Sequence, residues 1–260
     1  MTLLRVEGLN KRFGGVVAAR DVAFSLHAGE MLAIIGPNGA GKSTTFNMVG
    51  GQLTPDTGRV VLNDEEITGL PPRVVCRLGV GRTFQVAQTF LSFSVVENVQ
   101  MALIARHGQT RDLLARAASL HRQEALGLLA RVGMEVDADR PIGELAYGDV
   151  KRVELAIALA ASPRLLLMDE PTAGMAPRER AALMQLTANI AREQDIGVLF
   201  TEHDMDAVFA HADRIIVLVR GEIIARGSPE EVRTDEQVKR VYLGTTGHKA
   251  ALRARKAAHG

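Results

Sequence analysis

An α/β fold around a largely parallel sheet is predicted by three observations. Short apolar runs at Leu165–Met168, Val198–Thr201 and Ile215–Val219 are each separated from the next by a helical segment. Runs of that length read as strands buried on both faces, and strand–helix–strand alternation is the pattern of parallel pairing. Met31–Ile35 is a fourth such run and leads straight into a glycine-rich turn. Before it, Leu3–Leu9 and Val16–Leu26 flank Gly14-Gly15 and carry alternating or β-branched apolar residues, so antiparallel strands are expected to open the chain.

The remaining elements follow in order. Thr44 to Val49 can begin a helix directly after the glycine-rich turn. From Ser94 to about Val132 strand signals fade, and Leu113, Leu114, Leu120, Leu126, Leu128 and Leu129 recur at helical spacings, with alanine and arginine between them. A mostly helical insertion with a leucine core is expected there. Beyond Gly244 the chain carries Lys249, Arg253, Arg255 and Lys256, no acid and few large apolar residues, the pattern of a mobile tail or of a short helix that orders on contact. The expected organisation is residues 1–93 as the first part of the core with an antiparallel subdomain, 94–160 as a helical subdomain, 161–243 as the second part of the core, and 244–260 as a basic tail.

Composition removes several classes of protein. Of 260 residues, 47% are apolar and 23% charged, ordinary globular usage that excludes disorder and collagen-like repeats. Lys+Arg 31 against Asp+Glu 30 leaves a net charge of +1, so no nucleic-acid partner is expected from bulk electrostatics. One cysteine, Cys76, excludes an intrachain disulfide and a cysteine-built zinc site. The opening segment reads as neither a secretory signal nor a transit peptide. No apolar run approaches the roughly 18 residues a membrane-crossing helix needs, so any membrane work requires a partner that spans.

Gly36-Pro37-Asn38-Gly39-Ala40-Gly41-Lys42-Ser43 fits G-x-x-x-x-G-K-[ST] at every fixed position. In such a loop the glycines let backbone N–H groups surround phosphate oxygens, and the helix that follows adds partial positive charge. Lys42 is placed to reach the β- and γ-phosphates, and the Ser43 hydroxyl to ligate Mg²⁺. Leu165 to Glu170 is an apolar strand ending in two acids, which in an open α/β sheet lie at the carboxyl end where ligands gather. Asp169 suits a Mg²⁺ shell and Glu170 a general base beside the attacking water. The run Gly197–Thr201 ends similarly in Glu202, His203 and Asp204, and His203 there can hydrogen-bond a γ-phosphate oxygen.

Taken together, these motifs resemble, over about Leu3 to Leu243, the ATPase subunits of ABC transporters. Arg82-Thr83-Phe84-Gln85 is similar to the Q-loop, and Leu145-Ala146-Tyr147-Gly148-Asp149 to the signature that opens a helix, with Val150, Val153 and Ile157 as its apolar face. The resemblance implies a P-loop NTPase core with an antiparallel β subdomain and a helical insertion. It places Lys42, Asp169, Glu170 and His203 on the phosphate-loop lysine, the metal-binding aspartate, the catalytic glutamate and the switch histidine. Gln85 would contact Mg²⁺ and the attacking water. Gly36 through Ser43, with Thr44, would hold the phosphates of ATP, and Tyr147 and Gly148 would approach the nucleotide of a second subunit. Phe13 occupies the place of the aromatic that stacks on adenine, although one aromatic after a strand is also a common core feature. Two positions depart from the family: Ala146 stands where the signature serine is usual, and Ala176 where the D-loop aspartate is usual.

Within the family, KRFGGVVAARDVAFSL, GVGRTFQ, ELAYGD and FTEHDM are similar to the importers of branched-chain amino acids. That likeness implies an ATP-hydrolysing subunit powering solute uptake at the cytoplasmic face of the inner membrane. Its partners would be a second ATPase subunit, integral membrane permease subunits and, indirectly, a solute-binding protein. The Phe84 to Phe93 stretch, with Phe90 and Phe93, is the expected docking surface. The alternatives are the ATPase of an exporter of the lipopolysaccharide-extraction type and a soluble ABC protein outside transport. The latter usually carries two cassettes or long coiled coils, and this chain has one cassette and no sustained heptads.

Overall fold

A computed structural model describes residues 1–83, 89–109 and 120–241. The chain opens with β1 (Thr2–Phe13) and β2 (Val16–His27), an antiparallel pair closed at Phe13↔Val16, as the alternation predicts. Next come β3 (Met31–Ile35), α1 (Lys42–Val49), β4 (Thr57–Leu62), β5 (Glu65–Glu66), α2 (Pro72–Arg77) and β6 (Val80–Thr83). A helical stretch follows, made of α3 (Val95–Arg106), α4 (Arg122–Arg131) and α5 (Tyr147–Ala160). The rest is β7 (Leu165–Asp169), α6 (Pro177–Glu193), β8 (Gly197–Thr201), α7 (Met205–His211), β9 (Arg214–Val219), β10 (Glu222–Gly227) and α8 (Pro229–Thr234).

These strands form two sheets. One, ordered β2-β1-β4-β5, is antiparallel; the other runs β10-β9-β3-β8-β7-β6. In the second, β9, β3, β8, β7 and β6 are mutually parallel and β10 adds antiparallel at one edge. The four predicted core strands are therefore its centre. The strands β4, β5, β6 and β10 lie outside the predicted set because TGRVVL, EE, VGRT and EIIARG are short or interrupted by charge and glycine.

Successive residues of each central strand point to opposite faces, and two separate cores result. Met31, Ala33 and Ile35 join Leu103, Leu129, Val153, Met184 and Val208 on the helical side. Leu32 and Ile34 join Leu4, Val22, Phe46 and Val60 on the side of α1 and the antiparallel sheet. Both faces of the sheet are covered, which is why its strands read as unbroken apolar runs.

Three of the helical stretch's leucines lie on α4, where Leu128 and Leu129 are buried and Leu126 packs partly against the same core, whereas Leu120 stands in the turn before it. Leu113 and Leu114 lie outside the described residues. Its start is set by a capping box, in which Glu97 N–H donates to Ser94 Oγ (3.3 Å) and Ser94 N–H donates to Glu97 Oε2 (2.8 Å). Buried Asn98 then accepts from Phe90 N–H and donates to the carbonyls of Phe90 and Ser94, fixing the approach to α3.

Candidate nucleotide site

The phosphate loop joins β3 to α1, and two of its glycines, Gly36 and Gly41, are required by close backbone approach. A Cβ on Gly36 would stand 2.1 Å from the Leu218 carbonyl oxygen, and one on Gly41 2.2 Å from that of Ala18. Gly41 also has φ +101°, outside the range of most side-chain-bearing residues. The loop is clamped from the β9–β10 turn, where Gly221 N–H donates to Ala40 O at 2.9 Å. At the start of α1, Lys42 folds over the loop and donates to Gly36 O (2.7 Å) and Pro37 O (3.3 Å). Burial lowers its pKa, while the negative charges of Glu170 and Asp169 act to raise it. Ser43 and Asn38 are exposed and Thr44 is half-buried.

The acids arrive from the neighbouring strand ends. Thr201, last residue of β8, donates its hydroxyl to Asp169 Oδ1 at 2.7 Å and accepts Glu170 N–H at 3.1 Å. One side chain thus sets both acids. Glu170 takes φ +49° just past β7, turning the chain away from the strand axis. Its Oε1 lies 2.7 Å from His203 Nε2. A carboxylate only accepts, so that nitrogen carries the proton. The structure therefore brings Lys42, Asp169, Glu170 and His203 into one neighbourhood, as the motif order predicts.

Behind Asp169, Arg82 of β6 places Nη2 3.8 Å from Asp169 Oδ2 and 2.9 Å from Asn47 Oδ1, linking β6, β7 and α1. Burial lowers the pKa of this guanidinium, and Asp169 opposes the shift. Gln85, expected two residues beyond β6, lies outside the described residues, as does Phe84. Phe13 ends β1 with half its surface exposed (50%) and Lys11 Nζ 5.8 Å from its ring centre, so plain core packing is not its arrangement.

The signature segment is organised from α6. Ala146 is the residue before α5 and offers no side-chain cap. Tyr147 is exposed, with Lys151 Nζ 5.6 Å over its ring. Buried Gly148 is backed by Glu179, whose carboxyl group would stand 3.3 Å from a Cβ there. The same carboxylate accepts the Ala176 N–H at 3.4 Å. Glu179 therefore reaches back over the position where the D-loop aspartate is usual, and touches both the signature and the D-loop.

Glu179 is one of three groups that the motif reading passes over. A second is Glu202, 5% exposed, which accepts Thr172 N–H (2.9 Å), Thr172 O–H (2.6 Å) and His203 N–H (3.2 Å). It ties the turn after Glu170 to the backbone of His203. The third is the ion pair between Arg180 and Asp204, which joins α6 to the residue after His203. Thr201 and Glu202 had a signal, since they are the two residues before a strand-end histidine; Glu179 and Arg180 had none beyond their charge.

A strand–loop–helix phosphate cradle beside an acidic strand end defines a P-loop ATPase. Residues 19–173 match the family described as ABC transporter, and residues 222–248 match branched-chain amino acid ATP-binding cassette transporter. The chain is 39% identical over 252 residues to the high-affinity branched-chain amino acid transport ATP-binding protein LivG of Escherichia coli (strain K12), covering 93% of this chain and 98% of that one. It superposes on the ADP conformation of MJ1267, an ATP-binding cassette of an ABC transporter, with TM-score 0.85 and 32% identity over 94% of this chain and 99% of that one. It also superposes on a dimeric post-hydrolysis state of the cassette MJ0796 bound to ADP and Pi, with TM-score 0.73 and 26% identity over 87% and 99%. The chain belongs to the ABC transporter family. It is that family's nucleotide-binding ATPase component, with the ABC ATPase fold that the resemblance implies.

Proposed function

We propose that the chain powers uptake of branched-chain or related amino acids through a separate membrane permease, working as a dimer at the cytoplasmic face of the membrane. The observation that carries the ATPase part is the placement of Glu170 between the phosphate loop and His203. In this reading the backbone of Gly36 to Gly41, with Lys42, Ser43 and Thr44, holds the phosphates, and Phe13 stacks on adenine. Glu170 takes the proton of the attacking water, and His203 orients Glu170 and the γ-phosphate. Tyr147 and Gly148 complete the site of the second subunit.

The donors near the loop fit a hard cation: the Ser43 hydroxyl and the Asp169 carboxylate, the latter oriented by Thr201. Mg²⁺ bound there, with Gln85 as a further ligand, would neutralise charge on the transferring phosphoryl group. The amino-acid assignment is supported by the LivG likeness and by the match over 222–248.

The permease would dock beside the helical subdomain. A cleft of about 960 Å³ lies between α2, α3 and α5, lined by Arg73, Cys76, Arg77, Ala102, Arg106 and Ile157 among others. Exposed Phe90 lies on the approach to α3, with the ring of half-buried Phe93 5.1 Å away. Among the described residues no helix is long and apolar enough to cross a membrane, which fits a peripheral subunit. The subdomain limits proposed are 1–93, 94–160 and 161–243.

The test is reconstitution in proteoliposomes with a co-purifying permease. ATP-driven uptake of radiolabelled leucine by the wild type, lost in Lys42→Ala, is expected. A complex that hydrolyses ATP but moves lipopolysaccharide outward would overturn the import reading while leaving the ATPase intact.

A further inference from the structure

Away from the nucleotide site, the described residues gather one set of metal-ligating side chains: His107, His121 and Glu124. His107 follows the last turn of α3, His121 precedes α4 with φ +55°, and Glu124 sits in the first turn of α4. The candidate ligand atoms all lie within 4.8 Å of one another. Glu124 Oε2 is 3.4 Å from His121 Nδ1 and 3.7 Å from His107 Nε2. These separations are long for hydrogen bonds. They approach the edge, about 3.3 Å, of a tetrahedron drawn with metal–ligand bonds of about 2.0 Å.

The surroundings select the ligand form of each group. Gln109 Oε1 lies 2.6 Å from His121 Nε2. An amide oxygen accepts, so Nε2 is the donor to Gln109 and Nδ1 is the ring atom turned toward the Glu124 carboxylate. Nδ1 and Oε2 are thus the two atoms that an ion between the helix ends would meet first. Arg106 Nη1 approaches the other oxygen, Oε1, at 3.5 Å, leaving Oε2 for the ion. The two rings stack, with centroids 4.3 Å apart and planes within 6°. A hydrogen-bond acceptor on the non-ligating nitrogen is the usual support of a metal-bound histidine.

We propose that His107, His121 and Glu124 bind a borderline divalent transition-metal ion of the Zn²⁺ class, with water completing the shell. The ion ties the end of α3 to the start of α4. A metal lies in the plane of each imidazole it binds, so one ring must turn out of the stack on binding. Imidazole nitrogens favour this class of ion over Mg²⁺ or Ca²⁺, which separates the site from the nucleotide's own cation.

The test uses the full chain without a histidine tag and without nucleotide, titrated with Co²⁺ as a visible-absorbing probe and then with Zn²⁺ in competition. One equivalent bound in the micromolar range is expected, with a Zn²⁺-dependent rise in Tm. His107→Asn and His121→Asn should each lose the site, and Gln109→Ala should weaken it by roughly tenfold to a hundredfold. Mg·ATP hydrolysis measured without transition metal should be unchanged in His121→Asn, which also reports that the variant is folded. Absence of micromolar binding, or binding that survives the double histidine variant, overturns the proposal.

Discussion

Glu170 is held at a positive φ by two contacts, its N–H by Thr201 and its carboxylate by His203. If Glu170 is the general base, as proposed, Glu170→Gln keeps the shape and removes the base, so hydrolysis measured by phosphate release should fall roughly 10²–10⁴-fold while ATP binding survives. Thr201→Val removes the hydroxyl that orients Asp169 and Glu170 together. Hydrogen bonds to charged groups are worth about 1.5–3 kcal/mol, which translates to a loss of roughly ten- to a hundredfold in kcat. Unchanged turnover in Thr201→Val would show that the strand ends position the acids without it. Phe13→Ala should weaken nucleotide binding by about 1–3 kcal/mol in a titration, the scale of base–aromatic stacking. At this scale the sequence showed much of the candidate site. Lys42, Asp169, Glu170 and His203 stand at the ends of apolar runs or in a glycine-rich loop, and those contexts are local. Glu202 and Glu179 escaped because a charged residue declares its partner only when folding brings Thr172 or Gly148 against it.

At the scale of elements, α3 shows how a local signal sets a boundary. Ser94 and Glu97 satisfy each other's backbone N–H groups, and buried Asn98 holds Phe90 across the same turn. Ser94→Ala should lower stability by about 1 kcal/mol in urea unfolding, with the m-value unchanged. A larger loss would mean that the cap also holds the Phe90 turn in place. The central strands were legible because burial on both faces leaves no polar positions to break the run. In β6 and β10 only one edge pairs with the sheet and charges intervene, so neither period nor composition marks them. Yet β6 carries Arg82, which reaches Asp169 and Asn47 and so braces the phosphate helix against the acidic strand end.

At the scale of the whole molecule, the signature and the phosphate loop are built on different layers. Tyr147 and Gly148 make their contacts with the segment running from Gly174 to Glu179, and the loop is clamped by β2 and the β9–β10 turn. If nucleotide bridges two copies, Glu170→Gln should accumulate as an ATP-bound dimer in size-exclusion chromatography with Mg·ATP, and the added Gly148→Asp should abolish it. Glu179 stands directly behind Gly148, so the second change also sets two carboxylates together within one subunit. A thermal melt of the double variant distinguishes lost association from a damaged α5. A Glu170→Gln chain that stays monomeric while hydrolysis is lost would mean that the permease is needed for the sandwich.

By itself the sequence determined the phosphate loop, the acid-ended and histidine-ended strands, the antiparallel opening and the helical insertion. Each of these is written in neighbouring residues as a period, a glycine pattern or a run length. Only the tertiary structure decided that alternate residues of β3 serve two different cores, and that Thr201 orients both acids. It likewise decided that one Glu179 carboxylate lies against both Gly148 and the Ala176 N–H, and that two histidines from different helix ends meet over one carboxylate. The physical reason is range: backbone propensity and burial period act over a few residues, whereas a hydrogen bond or ion pair between distant residues exists only after the sheet order has set their strand ends side by side.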